Sequence, residues 1–152
     1  MAHAVCPTDI VRAPVEVVWG LLTTPADWGS FFDADVLSVE PAGAAVVGQR
    51  IRLASGPWPA RFRLLFEFTQ IDEARGILDL EIRLPFGIVN HEHLVCTPVG
   101  PSECRVAYGC NFDLPAGWTG RVLLALLRQE FEAGPVDSLA RLKRAAEARW
   151  RP

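Results

Sequence analysis

Residues 61–84, RFRLLFEFTQIDEARGILDLEIRL, carry the pattern that decides the fold. Apolar side chains occupy alternate positions in both halves of this stretch, which is the period of a β-strand with one dry face. The DEARG cluster between the halves, residues 72–76, predicts a turn. Two antiparallel strands with one apolar face each need a cover over that face. The inward-facing residues are expected to be Phe62, Leu64, Phe66, Phe68, Leu78, Leu80, Ile82 and Leu84.

The C-terminal segment 118–150 is predicted to be that cover. Its apolar residues recur at helical spacing in two stripes. The stripes are Leu123, Leu127 and Phe131, and then Leu139, Leu142 and Ala146. Gly134-Pro135 lies between them, and proline lacks a backbone donor and clashes with the preceding helical turn. We therefore expect a kinked helix, or two helices in line.

The rest of the chain completes an α+β fold. Residues 4–12 predict a first strand, which Pro7 restricts to an edge or a late start. Two short helices are predicted to follow, one after Pro14 and one in TPADWGSFF, residues 24–32. Period-two segments separated by turn clusters then predict an antiparallel meander over residues 35–113. We expect a single domain, residues 1–152, with about seven strands wrapped around a long helix, because no repeat or linker appears.

Composition argues against several classes of protein. Half of the 152 residues are hydrophobic, 22% are charged and the net charge is −3. The chain therefore lacks the basic surface that neutralises nucleic-acid phosphates. A chain of this length buries roughly 70% of the surface that its unfolded form exposes, so its core has room for a cavity. We expect neither nucleic-acid binding nor disorder.

Apolar runs and cysteines bear on location. The run VLLALL, residues 122–127, is far shorter than the roughly 20 residues that span a bilayer. Residues 1–14 lack the basic and apolar regions of a secretory signal. The four cysteines contain no CxxC pair, which favours reduced thiols over a disulfide framework or a zinc site. We expect a cytosolic (cytoplasmic) protein with no membrane insertion.

The order of these elements resembles the START-like or SRPBCC superfamily, which has a helix-grip fold and includes the polyketide cyclase/dehydrase group. VRAPVEVVWGLLTTPADWGSFF, residues 11–32, is similar to that family's opening, in which a second helix carries a tryptophan, here Trp28. PFGIVNHEH, residues 85–93, and VAYGCNFDLPAGWTGRV, residues 106–122, resemble a bacterial ligand-binding branch. The resemblance implies a hydrophobic cavity between sheet and helix for lipids, polyketides, quinones or other apolar compounds. The chain departs from the family at Gly134-Pro135, and in lacking the arginine/tyrosine pair that marks cyclase chemistry.

Residues 84–96, LPFGIVNHEHLVC, leave open which side chains enter such a cavity. If the PFG turn has a two-residue loop, His91 and His93 face inward with the apolar residues. If the loop has three residues, Asn90 and Glu92 face inward instead, because a shift of one residue turns every side chain of a strand to the other face.

The next hairpin does not decide between the two registers. A symmetric loop centred on Gly100 pairs Glu92 with Tyr108 and favours an inward Glu92, unless that loop is bulged. We nevertheless expect His91 and His93 inward, because a buried carboxylate costs more than a neutral imidazole unless it is paired. An inward histidine would hydrogen-bond a hydroxyl or carbonyl of the ligand, or act as an acid or base near neutral pH. The alternative is that both histidines face solvent or satisfy Tyr108.

Further candidate ligand contacts come from aromatic and aliphatic residues. Tyr108 belongs to a predicted inward face, and its hydroxyl needs a buried partner or a ligand. Trp28 and Phe31 either line the mouth of the cavity or fasten the two short helices together. Trp58, between two prolines, predicts either a loop tip over the opening or surface packing. The other expected contacts are Phe66, Leu80, Leu123, Leu127 and Phe131, which otherwise belong to the core.

Sequence motifs for known catalytic and cofactor sites do not occur in the chain. It has no P-loop, no Gly-rich dinucleotide turn, no HExxH and no Ser/His/Asp order. A zinc site needs three or four ligands, and apart from Glu92 no ligand lies near the two histidines in sequence. We therefore expect neither a metal nor a cofactor.

Three hypotheses for function follow. The first is a module that binds an apolar small molecule, as a monomer or homodimer, with His91, His93 and Tyr108 as polar anchors. The alternative is an enzyme of polyketide cyclase or aromatase type, in which a His/Tyr pair moves protons on an enolisable ketone. The third is an interaction protein with a filled core, which the absence of a cavity would support.

Overall fold

The computed structural model describes residues 2–56 and 61–151. One antiparallel sheet contains the eight strands found in these ranges. They are β1 (Ala2–Val5), β2 (Thr8–Val11), β3 (Ala34–Glu40), β4 (Arg50–Ser55), β5 (Phe62–Asp72), β6 (Ile77–Arg83), β7 (Val89–Gly100) and β8 (Glu103–Asp113). The two α-helices are α1 (Val15–Leu22) and α2 (Trp118–Trp150), and short 3-10 helices occupy Pro25–Ser30 and Pro85–Gly87. The strand order β1-β8-β7-β6-β5-β4-β3, with β2 also on β8, confirms the predicted α+β helix-grip architecture.

The predicted first strand is divided into two at Pro7. Val5 pairs with Cys110 and Thr8 with Ala107, so β1 and β2 follow one another along the same neighbour, β8. Proline cannot donate to the ladder, and pairing is interrupted at this point. The carbonyl of Pro7 still accepts a hydrogen bond from the Tyr108 amide at 2.9 Å. This division raises the strand count above the expected seven.

The two short helices cover one end of the sheet, and the second has 3-10 rather than α geometry. Trp28 in that segment is only 2% exposed. Its ring meets Phe66 at 5.5 Å and Phe68 at 5.7 Å between centroids, both close to edge-on. The indole Nε1 donates to the carbonyl oxygen of Leu22 at 3.2 Å. Trp28 therefore fastens this segment to both α1 and the sheet.

The meander has the dry face that the alternation predicts. Leu78, Leu80 and Ile82 of β6 are all buried. On β5 the same face is buried at Phe68 but 47% exposed at Phe62, because the beginning of the strand forms part of a cavity wall. The apolar face of β5 is therefore covered by packed side chains around Phe68, and it borders the cavity at the start of the strand, around Phe62.

Helix α2 runs without interruption for 33 residues, with Pro135 inside it. Two helices in line, one of the two expected forms, is therefore wrong, and a bend at Pro135 stays a prediction. The predicted stripes do form its inner face, since Phe131, Leu139, Leu142 and Ala146 are buried and Leu123 and Leu127 pack half-buried against the core. Within residues 2–56 and 61–151, no helix is both long and apolar enough to cross a membrane.

Candidate functional site

A cavity of about 370 Å³ lies between the sheet and α2. This volume falls within the usual range for sites that bind small molecules. Its apolar wall comes from β5, β6, the turn after β6, β8 and α2, and includes Phe62, Leu64, Phe66, Ile82, Leu84, Phe86, Ile88, Phe112, Leu127 and Phe131. Its polar wall consists of Asn90, Glu92, Tyr108, Cys110, Glu130 and Ser138.

The register of β7 puts a carboxyl group in this cavity. Glu92 pairs with Leu80, and three residues, 85–87, form the connecting turn. Of the two registers open from the sequence, the one with the three-residue loop is therefore correct. The expectation that His91 and His93 face inward is wrong, because this register turns both of them to the outer face of the sheet.

The second hairpin agrees with an inward Glu92. Glu92 lies opposite Cys110, not opposite Tyr108 as the symmetric loop predicted. The turn lies between Gly100 and Glu103 rather than on Gly100, and a one-residue bulge follows between Pro98 and Gly100, so the register differs by two residues from that of the symmetric loop. A shift of two keeps every side chain on its own face, so the face predicted from this hairpin was correct although the individual pairs were not.

Glu92 is buried together with hydrogen-bond donors. The residue is 7% exposed. Its Oε1 accepts from the Tyr108 hydroxyl at 2.9 Å and from Asn90 Nδ2 at 3.2 Å. The Cys110 thiol points at the same oxygen from 3.9 Å. These partners supply the pairing without which a buried carboxylate is prohibitively costly.

Burial sets the acidity of this cluster. It raises the pKa of Glu92 to about 7, while the hydrogen bonds from Tyr108, Asn90 and Cys110 act in the opposite direction. Burial and the nearby Glu92 carboxylate raise the pKa of the Tyr108 phenol well above its usual value. Near neutral pH, Glu92 therefore exists in both protonation states, whereas Tyr108 stays a hydrogen-bond donor.

The two histidines contact carboxylates on the outer face of the sheet. Their side chains are 48% exposed at His91 and 57% at His93. His91 Nε2 lies 3.2 Å from a carboxylate oxygen of Asp113, and His93 Nδ1 contacts the carboxylate of Asp79. Both histidines border a separate depression of about 310 Å³ with Cys6. No cluster of three or more His, Cys, Asp or Glu able to hold a metal occurs among the residues that the structure describes.

The other expected contacts divide into two groups. Tyr108, Phe66, Leu127 and Phe131 line the cavity. Trp28, Phe31, Leu80 and Leu123 lie outside this lining: the first three are buried in the core, and Leu123 packs half-buried against it. Trp28 instead supports the wall from behind through its contact with Phe66. Trp58 falls outside the described residues.

Sequence reasoning missed two parts of the site. The cost of burying a carboxylate argues against an inward Glu92, but Asn90, two positions earlier, lies on the same face and donates to it. Phe86 is 69% exposed and lines the cavity from the turn after β6. Its φ of 67° lies in the left-handed region, next to Gly87 at 74°, and the sequence PFG alone does not reveal which residue adopts this conformation.

A second depression is larger, at about 640 Å³, and lies between α1, the turn that follows β5 and residues 96–98 of β7. Its charged walls are Glu16, Glu73 and Arg75, all of which are exposed. It lacks the buried carboxyl and phenol groups of the smaller cavity. We therefore take the smaller cavity, with Glu92 and Tyr108 in its wall, as the candidate site.

Solved structures share this fold at low sequence identity. A protein from Thermus thermophilus has a TM-score of 0.75 at 18% identity and covers 98% of this chain and 100% of its own. The Zhui aromatase/cyclase from Streptomyces sp. R1128 gives 0.73 at 16% identity, with 99% and 97% covered. Norcoclaurine synthase from Thalictrum flavum, in complex with dopamine and hydroxybenzaldehyde, gives 0.70 at 12% identity, with 95% and 86% covered. At these identities the likeness shows the fold alone.

Comparison with family models, unlike the likeness to solved structures, identifies the family of the chain. No curated protein sequence matches the chain. A family model described as polyketide cyclase/dehydrase and lipid transport matches residues 4–147, which is nearly the whole chain. The match runs through every strand and helix that forms the cavity. The chain therefore belongs to the polyketide cyclase/dehydrase and lipid transport family.

Proposed function

We propose that residues 1–152 form a single domain that binds an apolar small molecule between the sheet and α2. The observation that carries this proposal is the cavity of about 370 Å³, whose walls are mainly aromatic and aliphatic with a compact polar cluster at Glu92. Sites of this composition gain affinity from apolar burial, about 0.8 kcal/mol for each methylene group. A few polar groups then fix the orientation of the ligand.

The entrance is consistent with an apolar ligand. Phe62 and Phe86 both line the cavity, and they are 47% and 69% exposed. Large exposed aromatic residues at a rim are typical of binding sites, because a bound molecule covers them. The backbone of Phe86 is left-handed, which is a strained conformation for a phenylalanine, and it forms part of the turn that borders the entrance.

Native mass spectrometry of the protein purified from its own host tests the proposal. We expect a complex that releases a small organic molecule on denaturation. Leu127→Trp fills the cavity from α2 and should abolish this complex, whereas Leu126→Trp is the matched control, because Leu126 is 71% exposed. A bare mass, with no thermal shift across lipids, quinones and aromatic polyketides, would contradict the proposal.

A cyclase-type enzyme is the second candidate, and the pairing of Glu92 with Tyr108 favours it. The His/Tyr pair expected from the sequence does not form, but Glu92 is a buried acid whose pKa of about 7 suits proton transfer. Its ionised form would take a proton from the carbon next to a ketone, leaving the electron pair in an enolate. Tyr108 would hold the carboxylate in place through the 2.9 Å hydrogen bond.

Hydrogen–deuterium exchange at a ketone separates catalysis from binding. Nuclear magnetic resonance in heavy water would follow exchange beside the carbonyl of a bound aromatic ketone. An enzyme should accelerate the exchange, and Glu92→Gln should abolish the acceleration while retaining binding. Binding of the ketone without accelerated exchange would leave only the carrier function.

We propose that the protein works in the cytosol, as a monomer or homodimer, and without nucleic acid. Light scattering coupled to size-exclusion chromatography will give the oligomeric state. A tetramer or larger assembly would contradict this part of the proposal.

A further inference from the structure

We infer that the ligand is an apolar amine, whose protonated nitrogen is held between β7 and the middle of α2. This inference rests on the proposed function and specifies the ligand of that same cavity. It follows from an imbalance between hydrogen-bond acceptors and donors in the wall, and from the signs of the charges there.

On the sheet side of the cavity, two side-chain donors are already engaged by one oxygen of Glu92, while other acceptor oxygens remain available to a ligand. The Tyr108 hydroxyl and the Asn90 amide both donate to Oε1 of Glu92, and Oε2 takes neither of these bonds. Asn90 Oδ1 is buried and has no hydrogen-bond partner in the part of the chain that the structure describes. Buried acceptors without a partner are costly, so a molecule that enters this end of the cavity should bring donors.

The helix side adds a backbone acceptor. In an α-helix the carbonyl of Phe131 would accept from the amide of residue 135, but Pro135 has no N–H to give. Phe131 and Pro135 are both buried and both line the cavity. Phe131, whose carbonyl lacks its regular helical donor, is therefore one of the residues that line the cavity.

The charged groups favour a cation over a neutral donor. The titratable residues in the lining are Glu92 on β7, Tyr108 and Cys110 on β8 and Glu130 on α2. None of the described lining residues is Lys, Arg or His. A carboxylate ligand would meet two glutamates with no counter-charge. An ammonium carries donors only, satisfies several acceptors at once and is attracted to aromatic faces such as the stacked Phe112 and Phe131 rings.

A matched set of three probes tests the inference by isothermal titration calorimetry. Octylamine, octanol and octanoate share one chain and differ only in the head group. At pH 8 we expect octylamine to bind wild-type protein about tenfold more tightly than octanol, because hydrogen bonds between charged groups are about twice as strong as neutral ones. Octanoate should bind most weakly of the three.

Substitution and pH locate the effect at Glu92. In Glu92→Gln the preference for the amine over the alcohol should disappear, while Glu103→Gln, on an exposed position of β8, should keep it. Affinity for octylamine should rise between pH 6 and pH 8, because Glu92 ionises near pH 7 while the probe stays protonated. Octanol should lack this rise.

The outcomes separate this inference from the proposed function. If octanol or octanoate binds wild-type protein as tightly as octylamine, the inference is overturned and the apolar cavity remains. If none of the three binds, both the inference and the binding function proposed for the cavity are overturned. A preference for the amine that survives in Glu92→Gln would likewise refute the assignment to this carboxylate.

Discussion

Replacing Glu92 by glutamine should make the protein more stable at alkaline pH and leave it nearly unchanged at acid pH. The amide keeps the shape of the side chain, and its oxygen still accepts from Tyr108 and Asn90. What disappears is the ionised form, which burial disfavours. The change therefore isolates the energetic cost of a buried charge in the cavity wall.

The size and sign of the effect follow from the pKa of Glu92. Its value is 4.5 in the unfolded chain and about 7 in the folded protein. Because the folded-state pKa is the higher one, the stability that this group contributes is fully present below about pH 4.5 and is lost as the pH rises through about 7. At about 1.4 kcal/mol for each pKa unit, the loss is about 3 kcal/mol.

Urea unfolding from pH 4.5 to pH 8.5 measures this loss. We expect Glu92→Gln to exceed the wild type in free energy of unfolding by about 3 kcal/mol at pH 8.5 and by less than about 1 kcal/mol at pH 4.5. Other titrating groups cancel in the difference between the two proteins. Glu103→Gln, the exposed control, should differ from the wild type by no more than about 0.5 kcal/mol throughout. A difference between Glu92→Gln and the wild type that does not change with pH would refute the burial of a titrating carboxyl.

Three other sets of substitutions test the fold and the orientation of β7. Gly120→Ala would put a Cβ 1.8 Å from a backbone carbonyl and should lower the free energy of unfolding by at least about 2 kcal/mol, whereas Gly20→Ala meets nothing within 4 Å and should raise it by up to about 1 kcal/mol. Urea titration compares them, and equal effects would contradict the close approach at Gly120. Trp28→Ala should cost about 3–5 kcal/mol, seen as a lower Tm, because the side chain is fully buried. The double substitution His91→Ala and His93→Ala should change octylamine affinity less than about twofold, below about 0.5 kcal/mol; a tenfold loss would return the histidines to the site.

Much of the fold could be predicted from the sequence, because its signals are local. The alternation in residues 61–84 and the helical spacing in residues 118–150 each specify one element and its apolar face. Their combination leaves few ways to cover a one-sided sheet. Pro7 marked the place where the first strand is interrupted, but not that both parts pair with one neighbour, since that depends on residues about a hundred positions away.

The site was harder to predict from the sequence, because it depends on whether the turn before β7 has an even or an odd number of residues. One residue more or less in the turn at 85–87 exchanges the two faces of β7, and loop length is set by backbone geometry such as the left-handed Phe86. Tyr108, the partner of Glu92, comes from another strand, so the pairing that a buried carboxylate needs depends on a register that the sequence left open. The condition that a buried carboxylate must be paired was correct, and it was met by a residue 16 positions away.

The three-residue turn Pro85–Gly87 also has a consequence for how such a scaffold can diversify. Strand β7 carries a carboxyl on one face and two imidazoles on the other, so the strand already encodes two alternative chemistries. A single-residue deletion in the turn would exchange them without altering any residue of the strand, and the irregular pairing between Pro98 and Gly100 is a place for the following hairpin to absorb the change. The length of this turn thus decides whether the cavity is lined by a carboxyl group or by imidazoles. Shortening the turn by one residue is therefore a way to redesign the pocket.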